Sequence, residues 1–477
     1  MEMHKTVLVT GNFNILHPGH IRLFKFAKTC AHKLIVGIFS DELAGNAVES
    51  THELRKEAVS SISMVDECFV IETPLIDFIK WLKPDVIVKG KEHEHLHNQE
   101  IKALAHYGGQ LIFSSGEIGA SSDFSNHGGQ VIPVLTKNHI MNYQKRHNIS
   151  LTQLTTLISN FKDKKVCVFG DVIIDEYIDC FPLGMSQEEP TLVVRPQEKI
   201  NYLGGAGIVA SHASRLGASV HFFSVTGQDE TRDFAISELD RHSVYHRLLI
   251  DKTRPTTLKQ RFRSQGKSLL RVSTLSQQTI GAHLQETIVS EFKKVASEFD
   301  VIVFSDFNYG CLPQSLVEHI IDIAKQNKIL IAADSQSSSQ FGDISRYRNV
   351  DLITPTEREA RLSLKNYDDG LVVLADKLME TTGANTILLK LGEEGMIAQH
   401  SSKGEQSPHT DQLPALNPTP TDVSGAGDSV LITAALTLAC GGDLWQASLL
   451  GSVAAFIQVG KVGNVPLSSN ELKQVLK

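Results

Sequence analysis

The sequence predicts an α/β protein built of two doubly wound domains. Three observations carry this. Apolar strand runs alternate with amphipathic helical patterns along most of the 477 residues, as the strand–helix–strand units of a parallel sheet require. The alternation breaks once, across residues 136–160. On either side of the break, a strand gives way to a helix at a glycine-bearing junction: "VLVTGNFNILHPGH" from Val7 to His20, and "PTDVSGAGDSV" from Pro420 to Val430.

Each element follows in order. "KTVLVTG" is a strand, "HIRLFKFAKTCA" a helix, "HKLIVGIFS" a strand and "THELRKEAVSSI" a helix. "VDECFVIE", "PDVIVKG" and "GQLIFSSG" are strands, separated by the helical "PLIDFIKWLK" and "EIKALAHYG". This closes a first domain at residues 1–135. Residues 136–160, "TKNHIMNYQKRHNISLTQLTTLISN", lack strand runs and read as a helical connector. "KKVCVFGD" opens a second domain, residues 161–477, with further strands in "SVHFFSV", "DVIVFSD", "KILIAAD", "VDLITP" and "NTILLKLG". The apolar "VLITAALTLAC" is about half a membrane span and ends at two glycines, so it reads as a buried helix.

Composition narrows the function classes. Apolar residues make up 41% and charged residues 21%, ordinary for a globular protein. A net charge of −8 argues against nonspecific nucleic-acid binding. Six scattered cysteines without a CxxC pair read as reduced. No signal, transmembrane or lipidation pattern is visible, so the expectation is a cytoplasmic protein with no nucleic-acid or membrane partner.

At the first junction, Gly11 ends the strand and Pro18 suits the first turn of a helix. His17 and His20 then lie near a helix N-terminus, where free N–H groups favour anions and imidazoles can donate to phosphate. By spacing alone the pair also reads as surface or capping histidines, or as part of a metal site. His93, His95 and His97 alternate in a polar stretch that reads as a loop more than as a metal site. At the second junction, the small residues Gly425, Ala426 and Gly427 let backbone N–H groups converge on phosphate, with Asp428 beside them as a base for a hydroxyl. Asp428 reads equally as a helix cap. No GK[ST] follows, so this is not a Walker loop.

The longer strings resemble known families. "GNFNILHPGH" resembles the GxFDxxHxGH signature of the nucleotidyltransferase superfamily, and "DVIVKGKEH" and "GEIGASS" fall where adenylyltransferases of heptose phosphates have similar strings. The resemblance implies a Rossmann-like nucleotidyltransferase domain. In it His17 and His20 contact the triphosphate, Gly11, Phe13, Asn14, Ser121 and Ser122 line the nucleotide, and Lys89 and Gly90 line the substrate. Asn14 replaces the usual Asp, and Asp123 stands where Thr is common. "DVSGAGD" resembles the D-T-x-G-A-G-D signature of ribokinase-like (PfkB) sugar kinases. "GDVIIDEY", "YLGGAGIVASHASRLGA", "VDLITPTEREA" and "LLKLGEEG" resemble their heptose-phosphate branch.

That second resemblance implies Asp428 as base and Gly425–Gly427 as anion hole. Thr354, Thr356 and Glu357 fall on the ATP and magnesium side, with Glu357 toward the metal, and Gly392 and Gly395 flank the nucleotide. Asp175, Gly204, Gly205 and Arg271 fall toward the sugar. Ile208 replaces a sugar-contacting Asn, Ser424 is a mild change beside the turn, and Gln336 stands where the heptose enzymes have the Lys of "DPK". Together the domains resemble the bifunctional heptose-phosphate kinase and adenylyltransferase family, in reversed domain order. The resemblance implies ATP, Mg2+ and a second nucleotide, ATP or CTP, at the N-terminal site. Its substrates would be sugar phosphates and nucleotides, and it leaves a homodimer open. A CTP-dependent transferase and kinase acting on a polyol or other sugar phosphate, and a non-catalytic sensor, are the competing readings.

Overall fold

The computed structural model describes residues 6–13, 18–45, 50–90, 98, 100–114, 134–264, 267–337, 342–400, 409–417 and 420–477. The chain divides into two compact units, the first built on the N-terminal strands.

In the first unit, β1 (Thr6–Gly11), β2 (Lys33–Phe39), β3 (Glu67–Ile71), β4 (Val86–Gly90) and β5 (Gln110–Ser114) form one sheet in the order β3-β2-β1-β4-β5. All neighbours are parallel. β1 lies in the middle, and alternate residues feed the cores on its two faces: Val7 and Val9 pack with Phe24 on one, Leu8 with Ile79 and Leu104 on the other. From β1 the chain builds outward first to one side and then to the other. The switch point therefore lies between β1 and β4, whose carboxyl ends are Gly11 and Gly90.

In the second unit, the strands are β6 (Lys165–Gly170), β7 (Val172–Met185), β8 (Leu192–Gly205), β9 (Ser219–Thr226), β10 (Tyr245–Ile250), β11 (Thr257–Ser264), β12 (Lys267–Thr274), β13 (Val301–Asp306), β14 (Leu330–Ser335), β15 (Leu352–Ile353), β16 (Thr386–Lys390), β17 (Met396–His400) and β18 (His409–Leu413). Nine of them make a sheet ordered β10-β9-β6-β13-β14-β15-β16-β17-β18. It is parallel from β10 to β16 and turns antiparallel at β17. The central strands β6, β13 and β14 are buried on both faces, which explains their continuous apolar runs. β12, β11, β7 and β8 form a separate mixed sheet in that order.

Residues 136–160 lie in two helices joined by a short turn at residues 147–150. The helices Val134–Arg146 and Leu151–Asn160 place Ile140, Tyr143, Leu154 and Ile158 in the same apolar core as the nine-stranded sheet. The second helix starts on a reciprocal cap between Ser150 and Gln153. Tyr143 shares a buried 2.7 Å hydrogen bond with the Ser448 hydroxyl. "VLITAALTLA" lies in the helix Ala426–Ala439, buried along its middle turns, and Cys440 caps its end. No described helix is long and apolar enough to cross a membrane. All six cysteines are unpaired.

Candidate active sites

The parallel strands of the second unit converge at their carboxyl ends on the start of the helix Ala426–Ala439. Gly425 caps that helix at φ +74°, a conformation that side-chain-bearing residues rarely adopt. A Cβ there would also lie 2.6 Å from Asn464 Oδ1. The turn is held from behind: Gln458 Nε2 donates to the carbonyls of Ser424 (3.1 Å) and Gly463 (3.0 Å), and the Ser424 N–H donates to Asp422 Oδ1.

Asp428 follows in the first turn, 5% exposed. Gln336 Nε2, just beyond the end of β14, donates to its Oδ1 at 2.7 Å. Burial pushes the carboxyl up to about 6; Lys390, the Gln336 amide and Lys259 pull it down, and the nearby Asp175 pushes it further up. Asp175, on β7, is itself buried and accepts from Asn464 Nδ2 (3.0 Å) and from Arg261 Nη2 (3.3 Å). Gly204 lies on β8 opposite Ile173, and a Cβ there would come within 2.4 Å of Asp175 Oδ2. Gly205 follows as the cap of the helix Ala206–Arg215, inside which Ile208 is fully buried. Asp175, Gly204, Gly425 and Asp428 are thus brought into one cluster. Arg271 is not: it is exposed on β12, opposite Arg261, and Arg261 makes the bond to Asp175. The mixed sheet reaches the turn a second time, where the Tyr177 hydroxyl donates to Asp422 Oδ2 at 2.8 Å.

The nucleotide-side residues sort differently. Thr354 is fully buried after β15, and its Oγ1 has no hydrogen-bond partner. Thr356 begins the helix Glu357–Leu364 through a reciprocal cap with Glu359: the Thr356 N–H donates to Glu359 Oε2 (2.7 Å) and the Glu359 N–H to Thr356 Oγ1 (3.3 Å). Glu357 accepts from Arg361 at 2.7 Å, with its side chain 44% exposed. Glu359 is the buried carboxylate of this stretch, and its charge acts on Lys390. The T-x-x-E spacing is a sequence signal for that cap. Gly392 and Gly395 bound the turn between β16 and β17, both at positive φ.

A divalent ion fits this donor set only in company with phosphate. Among the described residues no group of three or more His, Cys, Asp or Glu gathers for a metal. Asp334, however, is fully buried with an Oδ1 lacking any hydrogen-bond partner, and Glu359 is buried close by. Magnesium typically takes one or two carboxylates and completes its shell with water and substrate phosphate.

In the first unit, Gly11 ends β1 and Phe13 follows at φ +50°. The Phe13 ring packs edge-on to His20 at 5.1 Å and tilted against Phe24 at 5.3 Å, so the aromatic supports the start of the helix Pro18–Cys30. Arg55 carries no sequence signal. It is 2% exposed and donates to the carbonyls of Asn12 (2.6 Å), Phe39 (3.0 Å) and Ser50 (3.0 Å), and to Asp41. It thereby ties the loop after β1 to the end of β2. Lys89 pairs with Glu100 at 2.7 Å and donates to Asn98 at 2.9 Å, beside Gly90. Asn14, His17, His93, His95, His97, Ser121, Ser122 and Asp123 lie outside the described residues.

Fold and site together place the second unit among α/β phosphotransferases that carry their phosphate turn on a helix N-terminus without a Walker loop. The chain belongs to the pfkB family of carbohydrate kinases, whose description matches residues 163–470. The cytidylyltransferase-like description matches residues 8–155. Among curated relatives, the chain is 33% identical over 325 residues to "Bifunctional protein HldE" of Desulfatibacillum aliphaticivorans, covering 67% of this chain and 64% of that protein. It is 33% identical over 317 residues to the protein of that name from Helicobacter pylori, covering 66% and 67%. The chain thus matches about 64% of the length of the first of these relatives. Among solved structures it resembles Escherichia coli phosphofructokinase-2 (TM-score 0.54, 16% identity, 66% of this chain and 98% of that one). It also resembles Thermotoga maritima ribokinase (TM-score 0.51, 19% identity, 66% and 99%). At these identities the likeness is one of fold.

Proposed function

We propose that the chain is a bifunctional enzyme of sugar-nucleotide synthesis, acting on a heptose phosphate or a related sugar. In the kinase step, Asp428 takes the proton from the anomeric hydroxyl as that oxygen attacks the γ-phosphorus of ATP. The bond from the γ-phosphorus to the β-phosphate oxygen breaks, and ADP leaves. Backbone N–H groups at Gly425–Gly427 face the transferring phosphoryl group, and Asp175 with Asn464 bounds the sugar side. Asp334, whose Oδ1 has no hydrogen-bond partner, and Glu357 are the carboxylates available to magnesium, which when bound would neutralise phosphate charge. In the transferase step, a phosphate oxygen of a sugar 1-phosphate attacks the α-phosphorus of a nucleoside triphosphate and pyrophosphate leaves. His17 and His20 donate to the triphosphate there.

The observation that carries the kinase reading is Asp428. It is a buried carboxylate at a glycine-led helix N-terminus, aimed by Gln336 and close to Asp175. The test is incubation with Mg-ATP and heptose 7-phosphate, reading ADP and the bisphosphate, followed by ATP with heptose 1-phosphate, reading pyrophosphate. The absence of ADP and of bisphosphate removes the heptose reading. The match of the N-terminal residues to a cytidylyltransferase-like description supports a second reading, in which CTP is the donor at that site. Pyrophosphate release from CTP and not from ATP selects it.

A further inference from the structure

The strand β16 ends on Lys390, a cation at the carboxyl end of an otherwise apolar run. Its Nζ bonds Asp334 Oδ2 at 2.8 Å, with the two side chains 12% and 0% exposed. A Cβ built on Gly427 would lie 3.0 Å from that Nζ and 3.9 Å from Asp334 Oδ2. The ammonium therefore rests against the first turn of the Ala426–Ala439 helix, at the anion hole. A buried ion pair adds little net stability compared with well-packed apolar residues of similar volume. Asp334 Oδ1 is also left without a hydrogen-bond partner. The pair thus carries the cost of two desolvated charges without completing its own hydrogen bonding.

Position 336 supplies the complement. There the heptose-phosphate kinases that the sequence resembles carry lysine, whereas this chain has Gln336, whose amide is 2.7 Å from Asp428 Oδ1. Positions 336 and 390 thus face the same carboxylate cluster from the ends of two different strands, and only one of them is charged.

We propose that Lys390 is the cation of the phosphoryl-transfer site: from β16 it meets the transferring phosphate beside the Gly425–Gly427 turn, replacing the charge absent at position 336. This rests on the kinase reading of Asp428.

The test uses the full chain and four variants, Asp428→Asn, Lys390→Met, Gln336→Lys and the Lys390→Met/Gln336→Lys pair. ADP release is read with Mg-ATP and heptose 7-phosphate, and melting temperature alongside. Lys390→Met is expected to lose about 100-fold in kcat, the scale of one preorganised phosphate or oxyanion donor, with its melting temperature held. Adding Gln336→Lys is expected to restore about tenfold, which a merely structural role for Lys390 would not allow. Activity of Lys390→Met within about threefold of the unaltered chain, or no recovery in the pair, overturns the proposal. The kinase reading itself survives that result if Asp428→Asn is inactive. An unaltered chain without ADP release removes both. Where Lys390→Met melts below the assay temperature, Lys390→Arg and Lys390→Gln replace it: activity kept only with Arg supports the proposal, and equal activity overturns it.

Discussion

Asp428 shows how far one residue's chemistry depends on its surroundings. An exposed aspartate is ionised at any ordinary assay pH and is a weak base. Burial at the helix N-terminus lifts this one to about 6, with Lys390, Gln336 and Lys259 limiting the rise and Asp175 adding to it. The base form predominates above that value, so kcat/KM for the kinase step should fall below about pH 6 and level off above it. A flat profile down to pH 4.5 would exclude Asp428 as the titrating base. Asp428→Asn should cost between about 10² and 10⁴ in kcat, the usual worth of general-base catalysis. Both the residue and its glycine turn were legible in the sequence, because helix N-termini that bind phosphate need small residues in one short string. Gln336, Lys390 and Glu359 were not read as one cluster, because each ends or follows a different strand.

At the level of elements, two features lend themselves to measurement. His212 lies in the helix Ala206–Arg215, fully buried, and its Nδ1 accepts the Leu467 N–H at 3.1 Å. Burial, aided by the Lys461 charge, lowers its pKa to about 3. In the unfolded chain the ring takes a proton near pH 6.5. Between about 6.5 and 3 the unfolded state therefore binds more protons, and stability is lost as the pH falls, by up to about 1.4 kcal/mol per pH unit. His212→Asn keeps an oxygen for the Leu467 N–H and should flatten the acid slope of the denaturation midpoint across that window. An unchanged slope would assign acid lability to other groups. The helix Val134–Arg146 supplies the second case. Tyr143→Phe removes the hydrogen bond to Ser448 and should lower stability in denaturant by about 1 kcal/mol. An unchanged midpoint would mean that the bond adds nothing to the docking of this helix. The mixed sheet escaped the sequence reading for a physical reason. β8 is exposed along most of its length and carries charged residues, so it lacks the apolar run by which buried parallel strands announce themselves.

For the molecule as a whole, the question is which segments fold together. Ile140, Tyr143, Leu154, Ile158 and Phe161 all belong to the core beneath the nine-stranded sheet. We expect a fragment of residues 134–477 to fold cooperatively and, on the function proposed here, to keep kinase activity. A fragment starting at residue 161 leaves that core uncovered and should aggregate or melt at lower temperature. Equal melting temperatures for the two fragments would show that the paired helices are dispensable. In the first unit Arg55 plays the corresponding part, since its guanidinium joins the loop after β1 to β2. Arg55→Ala strands three carbonyls and Asp41, and should destabilise that unit by about 3 kcal/mol, read by local hydrogen exchange.

The sequence alone determined that there are two largely parallel α/β sheets, each with a glycine-bearing junction between strand and helix. Those features are local, set by the period of apolar residues and by the small residues a tight turn demands. Only the tertiary structure decided which charges meet at the kinase turn. Gln336 reaches Asp428 across 92 positions and Lys390 reaches Asp334 across 56. Such pairings follow from strand order and from which strand ends lie side by side, and neither is written in any short stretch of residues.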